Sequence, residues 1–191
     1  IAAGIIPAAV EIMDGCSLEA VEAAVHPNFP PAIAILIVEL DGPATEVDEQ
    51  FQQVEAICRR VGATTVELAK DDAHRARIWK GRKGAFASMG RITPNYYVQD
   101  GVVPRTQVAP TLRFIEQVAQ KHQVRISNIF HAGDGNLHVN ILKMKLSDAQ
   151  WAARLKPAIR EIFAHTVSLG GMISGEHGIG FVQKNYLPIA L

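Results

Sequence analysis

The chain has 191 residues, 48% of them hydrophobic and 20% charged, which is the composition of an ordinary globular domain with one sizeable core. Its 19 Lys and Arg balance 19 Asp and Glu, so no basic field exists to recruit nucleic acid, and no RNA-binding or zinc-finger signature occurs. No run reaches the ~20 apolar residues that cross a bilayer, and the opening Ile-Ala-Ala-Gly-Ile-Ile-Pro lacks the basic region of a signal peptide, so a soluble, cytoplasmic domain is expected.

In chain order, two short helical stretches come first, around Ile5 to Met13 and Ser17 to Val25, with Asp14-Gly15 as the break and Ser17 as N-cap. His26-Pro27-Asn28-Phe29-Pro30-Pro31 reads as a linker, because its prolines remove donors and forbid helix. Ala32 to Leu40 is a near-continuous apolar run and reads as a strand buried on both faces. Val47, Phe51, Val54 and Ile57 then follow helical spacing from Thr45 to Val61, with Gly62 closing the helix and Thr65 to Leu68 as a further strand. A charged helix from Asp71 to about Met89, a strand from Tyr96 to Val103, a helix from Thr106 to His122 and a strand from Arg125 to His131 repeat the order. A long helix starts at Ser147 and stops at Gly170-Gly171. Two strand-helix-strand units predict an α+β, ferredoxin-like antiparallel sheet with its helices packed on one face. No GxGxxG or GxxxxGK follows the first strand, so the usual nucleotide cradle of a doubly wound fold is missing.

Cys16 and Cys58 lack CxxC spacing and read as buried reduced thiols, which suits a reducing compartment.

The chemistry concentrates in Asn128 to Leu142. Asp134-Gly135 lies between two apolar runs, as a two-residue hairpin turn would require, and that register sets His131 directly opposite His138 with Asn140 on the same face. Two facing imidazoles can bind one metal ion. Five glycines within residues 170 to 180 hold Glu176 and His177 in an irregular segment, and Glu176 added to the two histidines makes the ligand set of a catalytic zinc site with an open position. Manganese would accept the same ligands. On the charged helix Arg75, Trp79, Arg82 and Phe86 form one stripe, and Arg82 is the best carboxylate anchor because a guanidinium fork binds carboxylate bidentately. Asp100-Gly101 and the Tyr96-Tyr97 pair border the same cleft in this reading.

His131-Ala-Gly-Asp-Gly-Asn-Leu-His138, Ser174-Gly-Glu-His-Gly-Ile-Gly180 and Trp79-Lys-Gly-Arg-Lys83, in that spacing, resemble the C-terminal substrate domain of FAD-linked 2-hydroxyacid dehydrogenases, on the glycolate oxidase and D-lactate dehydrogenase side of the family. The resemblance implies that residues 1 to 191 form a single substrate-binding cap. The FAD-binding domain would lie N-terminal to this chain and a short tail C-terminal to it. It implies His131, His138 and Glu176 as ligands of a divalent metal, zinc first. It further implies Arg82 as anchor of the substrate carboxylate, and Asn140 and His177 as groups beside the substrate hydroxyl and the flavin, with His177 as catalytic base. Phe86 and Val98 stand where 2-hydroxyglutarate enzymes carry polar residues, which favours a small monocarboxylate. Implied partners are the chain's own FAD domain, the hydroxy acid and the other subunits of a glycolate oxidase complex, with membrane association only indirect at the inner membrane. Two other functions compete on the residues alone: a metal-dependent hydrolase and a non-catalytic ferredoxin-like binding module.

Overall fold

A computed structural model describes residues 2–191. Its centre is one sheet of five strands, β1 (Ala9–Asp14), β2 (Ala34–Glu39), β3 (Tyr96–Val102), β4 (Arg125–His131) and β5 (Asn136–Leu142), in the spatial order β2-β1-β4-β5-β3. Every pairing in it is antiparallel. The helices are α1 (Gly15–Val25), α2 (Ala44–Arg60), α3 (Asp72–Ile92), α4 (Val108–His122) and α5 (Asp148–Ser168), followed by the single turn α6 (Gly180–Gln183). The α+β class with an antiparallel sheet is as the sequence predicts.

The first strand replaces an expected helix. The stretch around Ile5 to Met13 reads as helical in the sequence, yet Ala9–Asp14 pairs with β2 on one side and β4 on the other. A strand interior to a sheet gains two ladders of hydrogen bonds, and that tertiary gain overrides weak local periodicity. Asp14, not Ser17, is the N-cap of α1. Its Oδ1 accepts from Ser17 N at 2.9 Å, while Oδ2 accepts from Asn128 N at 2.6 Å, tying the helix start to β4.

Helices cover both faces of the sheet, not one. Alternation along the strands sends Phe130, Leu137, Val139 and Ile141 to one face, where they pack with Ile115 and Val118 of α4 and Ile159, Ile162 and Phe163 of α5. Met13 and Ile129 point the other way and pack with Leu18 and Val21 of α1 and Ala85 of α3. Only the second half of the molecule has ferredoxin-like connectivity: β3 and β4 run parallel to each other with β5 between them, joined by α4. In the first half β1 and β2 are antiparallel neighbours.

Two further expectations change. Ala34–Glu39 is the sheet's edge, so it is half-buried, with Leu36 turned to solvent. Residues 65–68 form no strand, and α2 carries no fully buried side chain.

The turn between β4 and β5 spans residues 132–135, two residues longer than expected. His131 pairs with Asn136, and His138 pairs with Ile129. Because side chains alternate with period two, this two-residue shift leaves both histidines on the same face. Gly135 alone in the turn has positive φ (+80°), and a Cβ there would lie 2.1 Å from the Val103 carbonyl oxygen. Gly135→Ala should therefore lower stability by about 2 kcal/mol or more, since strain and overlap act together. Gly90→Ala, in α3 with open space around the added methyl, should be neutral or stabilising. Urea denaturation of the two variants checks the opposite signs.

Candidate active site

The sheet face under α1 and α3 is apolar near Met13 and Ile129 and becomes polar toward the turn end of β4. Register explains the grouping. Glu11 of β1 sits opposite His131, while His138 of β5 sits opposite Ile129 on one side and Asp100 of β3 on the other. Glu11, His131, His138, Asn140 and Asp100 thus share one face. The loop after α5 lays Glu176 and His177 over them, held by an isolated bridge between Asp100 and Ser174.

The three expected metal ligands converge. His131 Nε2 lies 3.8 Å from Glu176 Oε1, and His138 Nε2 lies 3.6 Å from Glu176 Oε2. Three ligands at ~2.1 Å from one ion, tetrahedrally disposed, stand about 3.4 Å from one another. The observed separations are longer than hydrogen bonds and close to that spacing, so the donor set fits a divalent cation. The rings of His131 and His138 meet edge to face at 5.1 Å, and His177 stacks on His138 at 5.1 Å and 12°. Phe86 of α3 closes the site with an edge contact to His138 at 5.2 Å.

His138 is 1% exposed. Burial, helped by the neighbouring His131 charge and opposed by Glu176 and Asp100, pushes its pKa down to about 4. A neutral imidazole is the form a metal requires. His131 is half-buried, and its Nδ1 donates to Glu11 Oε1 at 2.9 Å. That hydrogen bond, against the effect of burial, holds the His131 pKa above its ordinary value. It also directs the other ring nitrogen toward Glu176, the arrangement in which a carboxylate orients a ligating histidine.

Arg82 does lie at the site, but it already holds a carboxylate. Its Nε and Nη2 donate to Glu11 Oε2 at 3.0 and 2.7 Å, and the pair is largely buried, at 6% and 7% exposure. Nη2 also approaches His131 Nδ1 at 3.5 Å, but both atoms donate to Glu11, so this is a contact around a shared acceptor. Burial alone would raise the Glu11 carboxyl. The His131 hydrogen bond and the Arg82 charge hold it below its usual value. The rest of the cationic stripe lies away from the histidines. Arg75 and Trp79 both bond Glu39 of β2, beside a groove of about 860 Å³ that Lys80 and Lys83 also line. Asn140 is fully buried, its Nδ2 donating to the carbonyls of Ser127 and His138 and its Oδ1 unpaired.

Two residues with large roles were missed or underweighted in the sequence. Glu11 sits in what read as a helix, and nothing local marks it. Asp100 had been placed only at the cleft border, yet its Oδ2 accepts from Ser174 Oγ and from the backbone N–H of Gly175, Glu176 and His177 at 2.6 to 3.0 Å. Burial would raise this carboxyl, and the N–H groups of His177 and Glu176 hold it below the usual range instead. Gly175 allows the close fit, since a Cβ there would meet Asn136 Nδ2 at 2.9 Å. The one available signal was an acid next to glycine in a strand of apolar and aromatic residues.

Residues 1–190 match the family model for FAD linked oxidases, C-terminal domain. The chain is 45% identical over 188 residues to glycolate oxidase subunit GlcD of Escherichia coli (strain K12), covering 98% of this chain and 38% of that protein. It is 34% identical over 192 residues to glycolate oxidase subunit GlcD of Bacillus subtilis (strain 168), covering 100% of this chain and 41% of that protein. A D-lactate dehydrogenase of Anaerostipes hadrus is 28% identical over 159 residues, 83% of this chain and 34% of that protein. The chain thus spans about two-fifths of the length of the glycolate oxidase subunits it matches.

The depressed His138 pKa has a sign that can be measured. Between pH 6.5 and about 4 the unfolded chain binds a proton at His138 that the folded protein refuses, so stability is complete above 6.5 and is lost as pH falls toward 4. Without metal the loss should be on the order of 3 kcal/mol. His165, lowered by burial, adds in the same direction. His131, with its raised pKa, contributes oppositely, its share fading as pH rises through its folded value. Urea midpoints across this range, compared with a His138→Gln variant in which the slope is reduced, check the prediction.

Proposed function

The chain belongs to the family of FAD-linked oxidase C-terminal domains, and on that footing we propose that it is the substrate-side domain of a flavoenzyme oxidising a small 2-hydroxy acid, glycolate or D-lactate, to the 2-keto acid. The observation that carries the reading is the convergence of His131 Nε2, His138 Nε2 and the Glu176 carboxylate beside a buried arginine. The names of the relatives support the substrate class.

In this reading His131, His138 and Glu176 hold a divalent metal, zinc first. Bound there, a metal supplies Lewis acidity that eases loss of a hydroxyl proton, and FAD, carried by another domain, supplies the hydride acceptor. His177, exposed on its loop and stacked on His138, receives the substrate hydroxyl proton, an imidazole being suited to transfer near neutral pH. Arg82 anchors the substrate carboxylate. With Nε and one Nη2 hydrogen committed to Glu11, the remaining N–H donors of its fork are left for the substrate, so it bridges two carboxylates. Asn140, through its unpaired Oδ1, is assigned the neighbourhood of the substrate hydroxyl and the flavin. Phe86 against His138 makes one wall apolar, which suits a short monocarboxylate over a dicarboxylate.

The full-length protein works, in this proposal, beside the other subunits of a glycolate oxidase complex on the cytoplasmic side of the inner membrane. Among the described residues no helix is long and apolar enough to cross a membrane.

Full-length protein should be yellow and bleach when glycolate or D-lactate is added without an acceptor. A metal-dependent hydrolase would be colourless. Chelation should remove turnover and zinc should restore it, and His138→Ala should retain neither metal nor activity. Undiminished turnover in a metal-free preparation would sink the metal assignment. Arg82→Lys, which keeps the charge beside Glu11 but loses the planar fork, should raise the KM about tenfold with a smaller change in kcat. An unchanged KM removes Arg82 from substrate binding.

A further inference from the structure

Two buried atoms at the base of the site lack partners, and they face each other. Asp100 Oδ1 and His138 Nδ1 are both without a hydrogen bond and stand 3.7 Å apart. Their residues are 0% and 1% exposed. A carboxylate oxygen sealed from water without a donor carries a desolvation penalty, and protonated Nδ1 is the donor within reach. An approach of roughly half an ångström brings the two into hydrogen-bond range.

The other end of Asp100 is fully used. Oδ2 collects Ser174 Oγ and three successive backbone N–H groups, and the Asp100 main-chain oxygen accepts from Gly175 N at 2.7 Å. One side chain therefore touches, through its two oxygens, the imidazole of one proposed ligand and the loop that carries another.

We infer that Asp100 is the positioning residue of the site. Through Oδ1 it accepts the Nδ1 hydrogen of His138 and leaves the Nε2 lone pair aimed at Glu176, and through Oδ2 it fixes the loop on which Glu176 and His177 ride. His131 already has its counterpart in Glu11, at 2.9 Å from Nδ1, so each proposed histidine ligand has its own carboxylate. The Asp100–His138 pairing stands on the geometry alone; its effect on metal affinity rests on the metal reading above. Asp100, His138 and His177 also form a second trio with metal-ligand spacing. A cation there, reached through Nδ1, would require the opposite tautomer.

The test is the tautomer of His138, read by ¹⁵N NMR of histidine-labelled, metal-free, full-length protein, together with zinc affinity by calorimetry. The wild-type protein should hold His138 as the Nδ1–H form. In Asp100→Asn the four loop donors select the amide oxygen and turn its NH2 toward Nδ1, which must then accept. His138 should switch to the Nε2–H form, and zinc affinity should fall about 10- to 100-fold. An Nε2–H tautomer in the wild-type protein overturns the inference. So does an Asp100→Asn protein that keeps both the Nδ1–H form and wild-type zinc affinity. If the variant fails to fold, the wild-type tautomer still decides. A wild-type protein with the Nδ1–H form that takes up no zinc supports the Asp100–His138 pair and sinks only the metal reading.

Discussion

Everything at the site depends on the parity of a pleated sheet. Glu11, His131, His138, Asn140 and Asp100 come from four strands and share a face only because three pairings hold their register at once. A slip of one residue in β5 would turn His138 and Asn140 to the opposite face. What opposes the slip lies on that opposite face. Leu137, Val139 and Ile141 of β5 pack with Phe130 under α4 and α5, and each of the three that lost its apolar burial would cost about 1.5–3 kcal/mol. The apolar face sets the register, and the polar face inherits its geometry.

The polar face then has to satisfy what it buries. Arg82 and Glu11 are both largely buried, and a buried ion pair is poor evidence of stability, because desolvation of the two charges consumes most of their attraction. Losing one partner would leave an unpaired buried charge, which is far worse. Its geometric effect is plain in the structure. Arg82 takes Glu11 Oε2, which leaves Oε1 for His131 Nδ1. Asp14 plays the same part farther along the face, capping α1 with one oxygen and holding Asn128 with the other, while Ser17 and Ser127 share a hydrogen bond of 2.7 Å between them. The side chains that hold α1 to the sheet thus belong to the same polar layer as the site.

What was readable in the sequence follows from how local each signal is. Helices α1 to α5 and strands β2 to β5 were legible because periodicity and caps act over a few residues. The placement of His131 and His138 on one face survived a wrong turn length, because an error of two residues preserves parity, but the two are not directly opposed: His131 stands opposite Asn136 and His138 opposite Ile129. Strand β1 was not legible: a six-residue segment preceded by Pro7 carries too few residues to tell period 2 from period 3.6, and its partners lie 20 to 30 and 116 to 120 residues away. Glu11 was lost with it. The strand expected at 65–68 failed for the converse reason: the segment pairs with no strand of the sheet, and a short run gains no strand structure without a ladder partner. Family motifs pointed to His131, His138 and Glu176, but the carboxylates that orient the histidines are contributed by distant strands, and only the assembled sheet displays them.

The charge balance of that layer bears on what the site can hold. Glu11 is cancelled by Arg82, and the Asp100 charge is met by three consecutive backbone N–H groups that form an anion-binding nest. His138 is kept neutral by its burial. What remains between the two Nε2 atoms is the Glu176 carboxylate, about half exposed and 3.6 to 3.8 Å from each, without a hydrogen-bond donor from either ring when both carry their hydrogen on Nδ1. In that state two lone pairs and one anion point at a common centre, an arrangement that a cation, a water or a proton on one ring relieves. In the metal reading proposed above, this trio is where a divalent ion would sit, since the neighbouring Glu11 and Asp100 charges are already met within the fold.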